Sequence, residues 1–140
     1  MKVRILSLAC FLVAGCGHAD RQLLTSSREL DQKPLIMVPS RALQASSYFN
    51  VLCIAVPREY QLDASSLRDP SGQEVVVEAT LTTKDGRRHV FTHSGALQGR
   101  YLCLQSDPAI GLGNRYREVS ISSSAPLRIS EIRWISTDKL

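Results

Sequence analysis

From Tyr48 to Ile135 the chain is cut into short segments by turn-forming residues, and no stretch carries apolar residues at helical spacing for the length a long amphipathic helix needs. Tyr48-Phe49-Asn50-Val51-Leu52-Cys53-Ile54-Ala55-Val56 is a continuous apolar run closed by Pro57. It predicts a strand buried on both faces. Asp69-Pro70-Ser71-Gly72 is a turn, since Asp bonds its own backbone and Gly admits positive φ. A Val- and Thr-rich strand over 74–83 follows. Lys84-Asp85-Gly86-Arg87 then supplies the Asp-Gly pair of a tight hairpin, with a return strand over 88–93. A further strand spans 100–104, a loop with Pro108, Gly111 and Gly113 spans 107–114, and strands over 116–122 and 127–135 close the chain around Ser123-Ser124-Ala125-Pro126. The last strand changes phase between Ile129 and Ile132, which predicts a bulge near Ser130-Glu131. Six or seven short strands without a long helix point to a single all-β domain, a β-sandwich, over residues 46–140.

The N-terminus has a different grammar. Lys2 and Arg4 precede an apolar run of about ten residues from Ile5 to Ala14, the layout of a secretory signal. The run is far below the ~20 residues that span a bilayer as a helix. Val13-Ala14-Gly15-Cys16 resembles a lipobox, the cleavage and lipidation motif of bacterial lipoproteins. That resemblance implies removal of residues 1–15, a diacylglyceryl group on the Cys16 thiol and acylation of the new amino terminus. It also implies attachment to a membrane, because two or three chains hold permanently where one holds marginally. Gly17, rather than Asp, leans toward the outer membrane by the sorting rule of that family. An ordinary signal cut elsewhere is the alternative.

Residues 16–45 read as the lipidated Cys and a polar tether. Ser26 and Glu29 have capping-box spacing, but Pro34 stops any helix early, leaving at most one short turn. Leu35-Ile36-Met37-Val38, between prolines, is a candidate edge strand. As a flexible coil, such a spacer separates lipid and domain by ~30 Å.

Residues 116–134 are similar to the last strands of galactose-binding-like (discoidin-type) jelly rolls. The resemblance implies a jelly-roll-like topology. It carries over no sugar site, since no binding motif of that family is present.

With Cys10 in the signal and Cys16 lipidated, Cys53 and Cys103 remain, an even pair in an exported domain and so candidates for a disulfide. Two free buried thiols are the competing reading. A metal-binding pair fits poorly, because there is no Cys-x-x-Cys and no His near either residue. His89 and His93 share one face of a strand at about 13 Å, too far apart to hold one metal, and Phe91 between them makes a partly exposed aromatic stripe.

No catalytic constellation is visible. There is no Gly-x-Ser-x-Gly elbow, Gly111-Leu112-Gly113-Asn114 has no helix after it, and Glu74, Glu78, Glu118 and Glu131 alternate as solvent-facing strand positions do. No catalytic residue, metal or cofactor is therefore assigned. Net charge is +4 on the whole chain, and 15 basic against 13 acidic side chains without the signal. That balance, unclustered, argues against nucleic acid. The expectation is a non-enzymatic envelope lipoprotein that binds a partner or serves a structural role. Arg87, Arg88, His89, Asn114 and Arg115 are its candidate contact residues. An inhibitor or immunity-type lipoprotein that neutralises an envelope-acting enzyme, and a glycan-binding module, are the alternatives.

Overall fold

The structure, a computed structural model, describes residues 19–106 and 113–138; the proposed signal, Cys16 and most of the 107–114 loop lie outside the described residues. It is all-β. The strands are β1 (Ala19–Leu30), β2 (Leu35–Met37), β3 (Leu43–Gln44), β4 (Phe49–Ala55), β5 (Gln61–Leu62), β6 (Leu67–Arg68), β7 (Val77–Thr83), β8 (Arg88–Leu97), β9 (Tyr101–Ser106), β10 (Arg115–Ser123) and β11 (Leu127–Thr137). One antiparallel sheet runs β1-β11-β4-β9-β8-β7-β10-β2, with β3 also on β10, while β5 and β6 pair separately.

The sheet coils until its ends nearly meet, because the chain leaving β1 crosses directly to β10. There Ser123 N–H donates to the Asp31 carbonyl at 2.9 Å, and Gln32 Nε2 donates to the Ser124 carbonyl at 3.2 Å. Such closure protects strand edges that would otherwise seek partners. The interior is one core. In β7, Val77, Ala79, Leu81 and Thr83 point inward and Glu78 outward, the period-2 pattern of a sheet with one wet face. Trp134 of β11, Tyr116 of β10 and Phe91 of β8 are fully buried and meet across the interior, ring centroids 5.9–6.2 Å apart and edge-on or tilted. That geometry suits aromatic quadrupoles.

β4 is buried on both faces, as its apolar run predicts. Leu52 and Ile54 enter the main core, whereas Val51 and Cys53 pack on the outer side with Cys103, Phe49, Tyr101 and Ile135. β2 is the expected edge strand, at the end of the sheet. At Asp69-Pro70-Ser71-Gly72 the Asp69 carboxylate accepts N–H bonds from Ser71 and Gln73, and Gly72 takes φ +89°.

Three expectations are corrected. Residues 19–45 are not a tether: β1 is 12 residues long and pairs with β11 from Ala19↔Thr137 to Leu30↔Leu127. Its composition is polar because most of its side chains face water, while the pairing itself is made by backbone groups. The register slip of this pair lies at Leu24 of β1; β11 runs past Ser130-Glu131 in unbroken register with β1, although Ile129 and Ile132 both enter the core. Lastly, the stripe of His89, Phe91 and His93 faces inward, and Phe91 is fully buried rather than partly exposed.

Candidate functional site

Two surfaces stand out. The first is the end of the sheet at which β1 begins. Thr83 and Arg87 bracket the β7–β8 hairpin. Thr83 N–H donates to the Arg87 carbonyl at 2.9 Å, Gly86 N–H to the Thr83 carbonyl at 3.0 Å, and Gly86 takes φ +91°. Glycine meets that requirement without steric cost. The Thr83 hydroxyl and the neighbouring Arg87 hold the Asp85 carboxyl below the usual carboxylate range. The hairpin so fixed presents Lys84, Arg87 and Arg88 to solvent.

Tyr116 lies opposite Thr83 and Arg115 opposite Gln44, so β10 brings Asn114 and Arg115 to the same end. The Asn114 carbonyl accepts the Ala45 N–H at 2.9 Å. His89 is half-buried, its Nδ1 2.5 Å from Tyr116 Oη and its ring edge-on to the tyrosine. Burial pushes the Tyr116 phenol far above its ordinary value, so it keeps its proton and remains a hydrogen-bonding partner of His89. The five candidate contact residues therefore gather at one end of the fold, although 26 residues lie between Arg88 and Arg115 in the chain. Arg41 and Arg117 extend the basic surface around a cleft shared with Lys84 and Glu118. His93 lies further along β8, its Nε2 3.1 Å from the Asp63 carbonyl. Among the described residues no group of three or more His, Cys, Asp or Glu comes together.

The second surface was not singled out from the sequence. On the outer face of β11, β4, β9 and β8 lies a trough of about 450 Å³. Its floor is Val51 and the Cys53–Cys103 disulfide. The two cysteines stand directly opposite each other in β4 and β9, their Cα atoms 4.2 Å apart, so the expected bridge is formed and free thiols are excluded. Phe49, Ile135, Ala96 and Leu97 form the apolar walls, and Arg21 is the one charged residue of the lining. Register explains the depth. β8 slips between His93 and Gly95, which sets Gly95 opposite Cys103. A Cβ added there would meet nothing within 4 Å, so the glycine leaves the space above the disulfide open. One signal for this surface was present in the sequence: a strand apolar on both faces requires a second apolar layer.

Chemically, the trough offers van der Waals contact, one guanidinium and the uncharged polar groups of Ser94, Gln105 and Thr137, and the hairpin end offers exposed cations. No protein-family model, curated protein or solved structure matches the chain.

Proposed function

We propose that this chain is a lipoprotein of the bacterial envelope, anchored through Cys16 in the outer membrane, whose domain works by binding at the membrane surface and not by catalysis. The observation that carries the reading is the start of β1 at Ala19, three residues after Cys16. Three residues reach at most about 11 Å, so lipid on Cys16 would hold the domain against the bilayer. The end of the domain facing that bilayer would be the one bearing Lys84, Arg87, Arg88 and Arg115. Basic residues near an anionic lipid surface contribute about 1 kcal/mol each, and the two effects reinforce each other as paired membrane signals do. The Cys53–Cys103 bridge is in keeping with an oxidising compartment. A glycan-binding role would call for several exposed aromatics on one face; Trp134, Tyr116 and Phe91 are in the core, and Tyr48 is the aromatic among the exposed large hydrophobics of the described residues.

Radiolabelled palmitate and cell fractionation test the reading. Wild-type protein should incorporate label and sediment with membranes, and Cys16→Ser should lose both. Unchanged sedimentation and mobility of the variant would end it. Crosslinking in intact envelopes then identifies the partner: a single stoichiometric protein in place of lipid would favour an inhibitor or immunity-type role.

A further inference from the structure

Resting on the membrane-anchored reading, a more specific role follows for the trough. We propose that it is a lipid site, taking one acyl chain of an anionic phospholipid from the bilayer against which Cys16 holds the domain, with the head group on Arg21. The lining matches such an amphiphile in both parts. Along the floor and walls, Val51, the disulfide, Phe49, Ile135 and Leu97 present alkyl, aromatic and sulfur surface without a charge. Val51 and Cys53 are 2% and 1% exposed, so the floor is closed, while Leu97 stands 46% exposed. Apolar surface held open in this way gains from an apolar occupant.

The lining's polar groups are Arg21, Thr137, Ser94 and Gln105, and the charged one lies toward one end. Arg21 and Thr137 lie where β1 begins and β11 finishes, since Arg21 pairs with Ile135 and Ala19 with Thr137. That is the end nearest Cys16, and five residues from Cys16 to Arg21 reach at most about 18 Å. A lipid entering from the membrane would place its tail over the disulfide and leave its phosphate beside the guanidinium, the group best suited to bind phosphate. Gly95 completes the fit. Its missing side chain keeps the tail's path clear above Cys103, and a Cβ added there meets no atom within 4 Å.

That last fact supplies the test. Full-chain protein purified from membranes in mild detergent is reconstituted into vesicles of phosphatidylcholine and phosphatidylglycerol, the latter carrying a photoreactive group near the end of one acyl chain. After illumination, crosslinked peptides are identified by mass spectrometry. The expected labels fall on peptides containing Phe49–Cys53 and Gly95–Leu97. Gly95→Phe, whose Cβ meets no atom within 4 Å, should reduce them several-fold while circular dichroism and the disulfide stay as in wild type. Arg21→Gln should lower labelling by the phosphatidylglycerol probe to the level given by a phosphatidylcholine probe, whose zwitterionic head group has no net charge. Labels confined to the hairpin end, or trough labels unchanged by Gly95→Phe, would overturn the proposal. So would trough labels that appear only once Cys16 carries no lipid, because the protein's own anchor would then be the occupant. Failure of the anchor reading is separable: Cys16→Ser protein added to the same vesicles still reports whether the trough takes the probe.

Discussion

Asp20 and Arg41 join the first strand to the segment that follows it: Arg41 Nη1 donates to Asp20 Oδ1 at 2.7 Å, and Asp20 is 4% exposed while Arg41 is 63% exposed. The second Asp20 oxygen accepts the backbone N–H of Gln44 at 2.9 Å. The pair is therefore asymmetric. Removing the carboxylate strands an amide and costs about 1–3 kcal/mol, whereas removing the exposed guanidinium leaves Asp20 its bonds from the Gln44 N–H and Gln22 Nε2 and costs less. Asp20→Ala should lower the urea unfolding midpoint clearly, and Arg41→Ala should lower it less. Equal effects would mean that the ion pair, not the amide bond, holds β1 to β3.

The disulfide closes a loop of 50 residues between strands that are already hydrogen-bonded neighbours. Constraint of the unfolded chain then accounts for about 4 kcal/mol of stability in the chain-entropy view. Cys53→Ala/Cys103→Ala should stay folded, since the main core lies on the other face of β4, but should lose most of that amount in denaturant titration. A loss well under 1 kcal/mol would show that the unfolded chain is already compact between these strands.

Much of this fold was legible because strand signals are local. The hairpin at 84–87 and the turn at 69–72 rest on residues whose own backbone chemistry dictates them. The apolar run at 48–56 and the pairing of the last two cysteines needed only periodicity and counting. β1 was not legible, because Thr25-Ser26-Ser27-Arg28-Glu29 carries no apolar alternation; its place is set by a partner strand about a hundred residues away. The trough is equally non-local. Arg21, Phe49, Gly95 and Ile135 come from four strands and meet only through the register of the sheet. The basic end lies between these cases: Arg87-Arg88-His89 was visible as a stretch, but its union with Asn114 and Arg115 depends on Tyr116 lying opposite Thr83.

If β1 belongs to the domain, its last residue should behave as core. Leu30 is 1% exposed and pairs with Leu127. Leu30→Ala should cost about 2–5 kcal/mol in chemical denaturation, as buried leucine truncations do. A flexible tether would tolerate the same change at no cost, so a value near zero would return residues 19–30 to the status of a spacer.

The β8–β9 turn holds a residue in a conformation it disfavours. Gln98 has φ +54° and Gly99 φ +68°, and Arg100 N–H closes the turn on the Leu97 carbonyl at 3.2 Å. Two successive positive φ values are the type I′ pattern, for which Asn-Gly is preferred. Gln98→Asn should raise the thermal midpoint, with a gain of about 0.5–1 kcal/mol if half or more of the left-handed penalty is relieved. Gly99→Ala should lower it. No change in either variant would show that the turn relaxes without cost.

Alkali should find the core through Tyr116. Burial raises its phenol well above the ordinary tyrosine pKa of 10.0, with Arg87 opposing only in part. The folded chain thus keeps a proton that the unfolded chain gives up. Stability from this group is fully present below about pH 10 and is lost as pH rises from there toward the folded value, at up to about 1.4 kcal/mol per pH unit for one proton. Tyr116→Phe cannot ionise. It should start less stable at pH 8, having lost the bond to His89 Nδ1, yet fall less than wild type between pH 10 and pH 11.5 in urea titrations. Parallel curves for the two proteins across that interval would show that the phenol ionises in place, and that the interior at this end admits water.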